Sequence, residues 1–107
     1  MIKTTGFFQL GHNSMFVKDA TIIVSATLTT QGTINCNAMI GTFRGNEAET
    51  IENFNNQHNI YHSFAKDSLV FDSGIQDVYD CFCDAIETRL VAILSTLPEY
   101  SDLIFTV

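Results

Sequence analysis

TIIVSATLTTQGTINCNAMIGTF, residues 21–43, is the stretch whose reading decides the fold. Both arms are rich in Thr, Ile and Val and alternate between two faces, the period-two pattern of paired strands. Register then selects the loop. A two-residue loop at Gln31-Gly32 sets Leu28 opposite Asn35 and Ala26 opposite Asn37, which mixes apolar and polar positions. A three-residue loop, Thr30-Gln31-Gly32, pairs Leu28 with Ile34, Ala26 with Cys36, Val24 with Ala38 and Ile22 with Ile40. It also puts Gly32 where such loops want a left-handed residue. The stretch therefore reads as a β-hairpin with one core face. Its other face carries Ser25, Thr27, Asn35 and Asn37 near the turn, a wet end, and Ile23, Met39 and Phe43 nearer the base, where a cover is expected.

Toward the N-terminus, residues 2–10 alternate as a strand with Ile2, Thr4, Gly6, Phe8 and Leu10 on one face, and Gly6 marks a bulge or a close approach. Gly11-His12-Asn13-Ser14 is a turn cluster, and residues 15–17 suit a short strand. Beyond the hairpin, Asn46 to Glu49 has the form of a capping box, which predicts a short helix burying Ala48, Ile51 and Phe54, with His58 a further candidate for that stripe. Residues 53–59 are poor in helix formers, and residues 60–64 fit a strand as well as a helical continuation. Residues 68–71 read as a strand. Ser73-Gly74-Ile75-Gln76 is a second capping box that opens the longest helix. Its stripe is Ile75, Tyr79, Phe82, Ile86, Leu90, Ile93 and Leu97, at steps of three and four, and Pro98 stops it. Residues 101–107 alternate as a final strand. The expectation is one α+β domain over 1–107, in the order β-β-β-α-β-α-β. Its sheet is small and antiparallel or mixed with the hairpin central, and a long C-terminal amphipathic helix and a shorter helix pack on one face.

An apolar fraction of 46% with nine Phe provides a core, and charged residues at 16% are too few for a disordered acidic tail. The longest aliphatic run, Leu90 to Leu94, falls far short of the roughly 20 residues of a membrane span. Three cysteines, Cys36, Cys81 and Cys83, lack a disulfide-scaffold spacing, and no signal-peptide pattern opens the chain. A cytoplasmic, reducing location is expected.

The net charge of −7 is unevenly distributed. Residues 1–45 sum to +2 and residues 46–107 to −9, which argues against binding nucleic-acid phosphates directly. On the long helix Asp77, Asp80, Asp84 and Glu87 fall within an arc of roughly 80°, opposite the apolar stripe, and Val91 continues that face. No base stands at i+4 from any of them, so the usual helix salt-bridge ladder is missing. Glu47, Glu49 and Glu52 would extend the negative field if the two helices lie side by side. The plainer reading is a solvated helix face, supported by the preference of Asp77 and Asp80 for a helix N-terminus. The functional reading is a docking strip for a basic protein partner. Small inhibitors of nucleic-acid-acting enzymes (immunity proteins, antitoxin-like partners, phage counter-defence proteins) work this way, by steered association with a basic site.

Catalytic signals are weak. His58-x-x-x-His62 has metal-ligand spacing on a helix but lacks the Glu of zincin-type sites, and its remaining candidates are Asp67 and His12. Cys81 and Cys83 sit among Asp80 and Asp84, which disfavour a thiolate. No nucleophile elbow or phosphate-cradling glycine loop is present. The expectation is a binding protein rather than an enzyme, with no cofactor and no metal. An assembly subunit, dimerising through Ile23, Met39 and Phe43, is the alternative.

Overall fold

The computed structural model describes residues 1–10, 16–45 and 48–107. The hairpin is its centre. Strands β4 (Thr21–Leu28) and β5 (Thr33–Phe43) pair antiparallel in the register read from the sequence, from Ile22 opposite Ile40 to Leu28 opposite Ile34. The Thr29 amide donates to the Thr33 carbonyl at 2.8 Å, which leaves residues 30–32 as the loop, and Gly32 has φ +76°. The inward row is apolar because a pleated strand exposes alternate residues to each face. Ile22, Ile34, Cys36, Ala38 and Ile40 are all buried.

The N-terminal strand breaks at Gly6 (φ +115°) into β1 (Ile2–Thr5) and β2 (Phe7–Gln9). β1 stays in the main sheet beside β4, while β2 turns away to pair with β3 (Phe16–Lys18) in a two-stranded ribbon. Asp19 locks the corner: its amide donates to the Gly6 carbonyl and its carboxylate accepts from the Gly6 amide. Phe8 then points inward and stacks on Tyr100, centroids 4.5 Å apart. The expected turn at residues 11–14 and Met15 lie outside the described residues.

The main sheet has the order β6-β5-β4-β1-β7, antiparallel throughout. Residues 48–59 do not form the expected short helix. A 3-10 turn at Ile51–Asn53 leads into β6 (Phe54–Ala65), a twelve-residue strand along the whole of β5. A short helix would have left the outer edge of the eleven-residue β5 unpaired. The weak helix propensity of Asn53 to Asn59 offers little against a complete ladder. Asn46, the expected cap, lies outside the described residues. Residues 68–71 are not a strand either: a 3-10 turn at Lys66–Ser68 precedes irregular chain, where Leu69 is buried and the Phe71 ring packs edge-on against Phe82.

One α-helix, α1 (Val78–Ser95), therefore covers the sheet among the described residues, and β7 (Ile104–Thr106) returns to pair with β1. The observed order is β-β-β-β-β-β-α-β. α1 starts later than the second capping box predicts. Its N-cap is Asp77, whose side chain accepts from the Asp80 amide at 2.9 Å, and Ile75 lies outside it. The buried seam is also rotated: Ala85, Leu90 and Leu94 are enclosed, whereas Tyr79 and Phe82 are exposed. The first turns of α1 overhang the hairpin's loop end, so the front of the apolar stripe has no complete layer beneath it. Ile2, Ile22, Ile40, Leu90 and Leu94 form the fully enclosed centre of the core with Phe8, and a second cluster gathers Ile34, Cys36, Phe64, Leu69 and Ala85. No described helix is long and apolar enough to cross a membrane.

Candidate functional site

The predicted acidic stripe is redistributed by the fold. Asp77 caps the helix that carries it, so its carboxylate has a structural partner. Asp80 is exposed and Asp84 half-buried on the flank of α1. Glu87, farther along that flank, accepts from the Met1 ammonium at 3.1 Å. Val91 is half-buried, packed against the core cluster of Leu90 and Leu94. Nothing among the described residues pairs with Asp80 or Asp84 beyond the Asp80 backbone amide's bond to the cap.

The glutamates expected on a second helix lie elsewhere. Glu49 receives the Lys3 ammonium at 2.9 Å, and that ammonium stands over the Phe43 ring, 5.1 Å from its centroid. Ile2 points toward α1, so Lys3, its neighbour in β1, points to the opposite sheet face. Glu49 is therefore separated from Glu87 by the sheet, and the expected continuous field from two adjacent helices does not form. Glu52 is exposed on the 3-10 turn, and Glu47 lies outside the described residues. The same segment answers the question of cover on the outer face. Phe43 lies between Lys3 and Phe54, its ring 5.2 Å from that of Phe54, and Ile23 and Met39 are half-buried.

His58 and His62 stand on β6 opposite Ile40 and Cys36. Four residues along a strand separate them by about 13 Å, so the helical chelating geometry is absent. His12 lies outside the described residues, and no described group of three His, Cys, Asp or Glu could hold a metal ion. Cys36 is enclosed under the sheet, and burial pushes its thiol from 9.0 up to about 11. Cys83 is half-buried beside Tyr79 and, by a hydrogen bond and then by its charge, raises the Tyr79 phenol above its ordinary value. The Cys81 thiol lies 3.8 Å from the Asp72 carbonyl.

The feature that sequence reasoning missed is where α1 overhangs the hairpin. A groove of about 630 Å³ opens there between Leu28, Ile34, Leu69, Phe71, Phe82 and Ile86. On the other flank of Phe82 and Ile86 a second groove of about 350 Å³ runs between Val24, Ser25 and Ala26 of β4 and Tyr79, Cys83 and Glu87 of α1. Among the acids of α1, Glu87 lines this second groove, and Asp80 and Asp84 do not.

No family model, curated protein or solved structure matches the chain.

β4 is incompletely paired beside that groove. β1 meets it at Ile22 and Thr21, and the Thr4 amide reaches the Ala20 carbonyl. Even-numbered residues of β4 thus aim their backbone groups at the β1 side, and odd-numbered ones, continuing to Thr29, aim at β5. No described strand lies beside Val24 to Leu28 on the β1 side. The amides and carbonyls of Val24, Ala26 and Leu28 have no described ladder partner. The sequence signal for this was the length difference between an eight-residue β4 and a short N-terminal strand, visible only once their register was known.

Proposed function

We propose that the chain is a non-enzymatic binding protein that recognises a basic protein through the acidic flank of α1. The observation that carries this reading is an unfilled groove against β4 that Glu87 lines, on the helix that also bears Asp80 and Asp84. Carboxylates beside an apolar trough suit Lys and Arg, whose aliphatic stems cover apolar surface while their charges stay at the rim. The net charge of −7 favours fast, salt-sensitive capture of such a partner. A small inhibitor of a nucleic-acid-acting enzyme fits this chemistry, because its target presents a basic site built for phosphates.

The test is affinity capture at low salt, followed by titration of the purified partner against the wild type and the Asp80→Asn, Asp84→Asn double variant. The reading expects the double variant to bind at least tenfold more weakly, with a flatter dependence on salt. Unchanged affinity and unchanged salt dependence would overturn it. The assembly-subunit alternative draws on the long outer edge of β6, and light scattering separates it by showing a concentration-dependent dimer.

A further inference from the structure

The partner-binding reading leaves open the conformation in which a basic segment is held. The backbone of β4 answers this. Val24, Ala26 and Leu28 turn their amides and carbonyls toward a side where no described strand pairs with them. From Val24 to Leu28 the open edge is about 13 Å long at the ordinary rise of a strand. The residues along it, Val-Ser-Ala-Thr-Leu, contain no Pro and no charge, the devices that usually keep an exposed edge from pairing. The groove between this edge and Tyr79, Cys83 and Glu87 provides room for side chains on the α1 side of an added strand.

We infer that a basic segment in extended conformation adds to the β4 edge at Val24–Leu28, extending the sheet alongside β1. Main-chain hydrogen bonds to Val24, Ala26 and Leu28 hold it, and alternate side chains enter the groove. An inward Lys or Arg lays its stem along Cys83 and brings its charge to Glu87. The position of a cation beside Glu87 is already exemplified by the Met1 ammonium at 3.1 Å. Charge chooses the occupant. A second copy added at this edge would bring two α1 flanks together, each bearing Asp80, Asp84 and Glu87, in molecules of net charge −7. A basic strand meets the opposite sign.

This inference rests on the basic-partner reading but fails separately from it. The probe is a seven-residue, end-capped peptide of alternating Lys and Val, with an alternating Glu and Val peptide as its counterpart, titrated into the uniformly labelled protein and followed by amide NMR. The expected result is binding of the Lys peptide alone, with the largest shifts at Val24–Leu28 and slowed exchange of the Val24, Ala26 and Leu28 amides. Ala26→Pro removes an amide donor that the native ladder does not use, so the fold tolerates it. It is expected to weaken the Lys peptide about tenfold or more. Asp80→Asn with Asp84→Asn is expected to weaken it too. If the Lys peptide binds through the carboxylates but Ala26→Pro has no effect, strand addition is overturned and the acidic flank stands. If neither variant matters, or both peptides bind alike, both readings fall. A dimer protected at Val24–Leu28 in the absence of peptide also overturns the inference, in favour of a second copy.

Discussion

Gly41→Ala is a severe test of the β5–β6 pairing on which the fold rests. Between Ile40 and Gly41 the register shifts: Ile40 faces His58 but Gly41 faces Asn56, so Gln57 is an extra residue on β6. That bulge drives the β6 backbone against Gly41. A Cβ added there falls well inside contact distance of the Asn55 carbonyl oxygen, 2.8 Å from the carbonyl carbon and 3.1 Å from the Asn56 Cα. All three are backbone atoms, so no rotamer change relieves the overlap. β6 must shift by about 1 Å or leave the ladder. Overpacking in a close-packed site costs about 1–3 kcal/mol, occasionally more. An obstruction made wholly of backbone belongs at the upper end, so the expected loss is about 3 kcal/mol or more. In a chain of this size that lowers the melting temperature by about 12 °C or more. Gly74→Ala is the control, since Gly74 has ordinary φ and meets one side-chain oxygen, Asp72 Oδ1, at 3.2 Å. It should stay within about 0.5 kcal/mol of the wild type. Urea melts followed by circular dichroism give both values. A Gly41→Ala protein within about 1 kcal/mol of the wild type would refute the close approach and the bulge behind it.

Asp77→Ala should destabilise by about 1 kcal/mol through loss of the N-cap, whereas Asp77→Asn, which still caps, should lose a few tenths; equal effects in thermal melts would show that charge, not capping, is the role of Asp77. Leu90→Ala empties part of a fully enclosed site and should cost about 2–5 kcal/mol by urea titration; a loss under 1 kcal/mol would contradict the seating of α1 on the sheet. Burial raises the Cys36 thiol to about 11, so the fold favours its neutral form. That contribution is complete below pH 9 and is lost as pH rises from 9 through 11. The urea midpoint should therefore fall more steeply over that range in the wild type than in Cys36→Ala, and parallel curves would contradict the assignment.

Much of the sheet was legible because side-chain alternation has only two phases. A one-residue slip in the hairpin would have turned one arm over, exposing either Ile22 and Val24 or Ile34 and Ile40, so register followed from polarity alone. Residues 48–59 were misread for the opposite reason. A capping pattern is a local signal, and what decided the segment was the unpaired edge of β5, a tertiary demand that no local pattern records. The helix and the rear of its buried stripe, Ile86, Leu90, Ile93 and Leu97, were legible, but the front was not, because Tyr79 and Phe82 obey the period yet extend past the layer they would cover. For the candidate site, the carboxylates of α1 were visible in the charge pattern. The capping bond of Asp77, the burial of Val91 and the placement of Glu49 across the sheet required the fold. So did the open edge of β4.

Amide hydrogen exchange of the free protein along β4 tests the open edge most directly. The account predicts an alternating pattern: Ile23, Ser25 and Thr27, bonded to β5, exchange slowly, while Val24, Ala26 and Leu28 exchange orders of magnitude faster. Uniform protection across Ile23–Leu28 would mean that the edge is already paired, and would contradict the account.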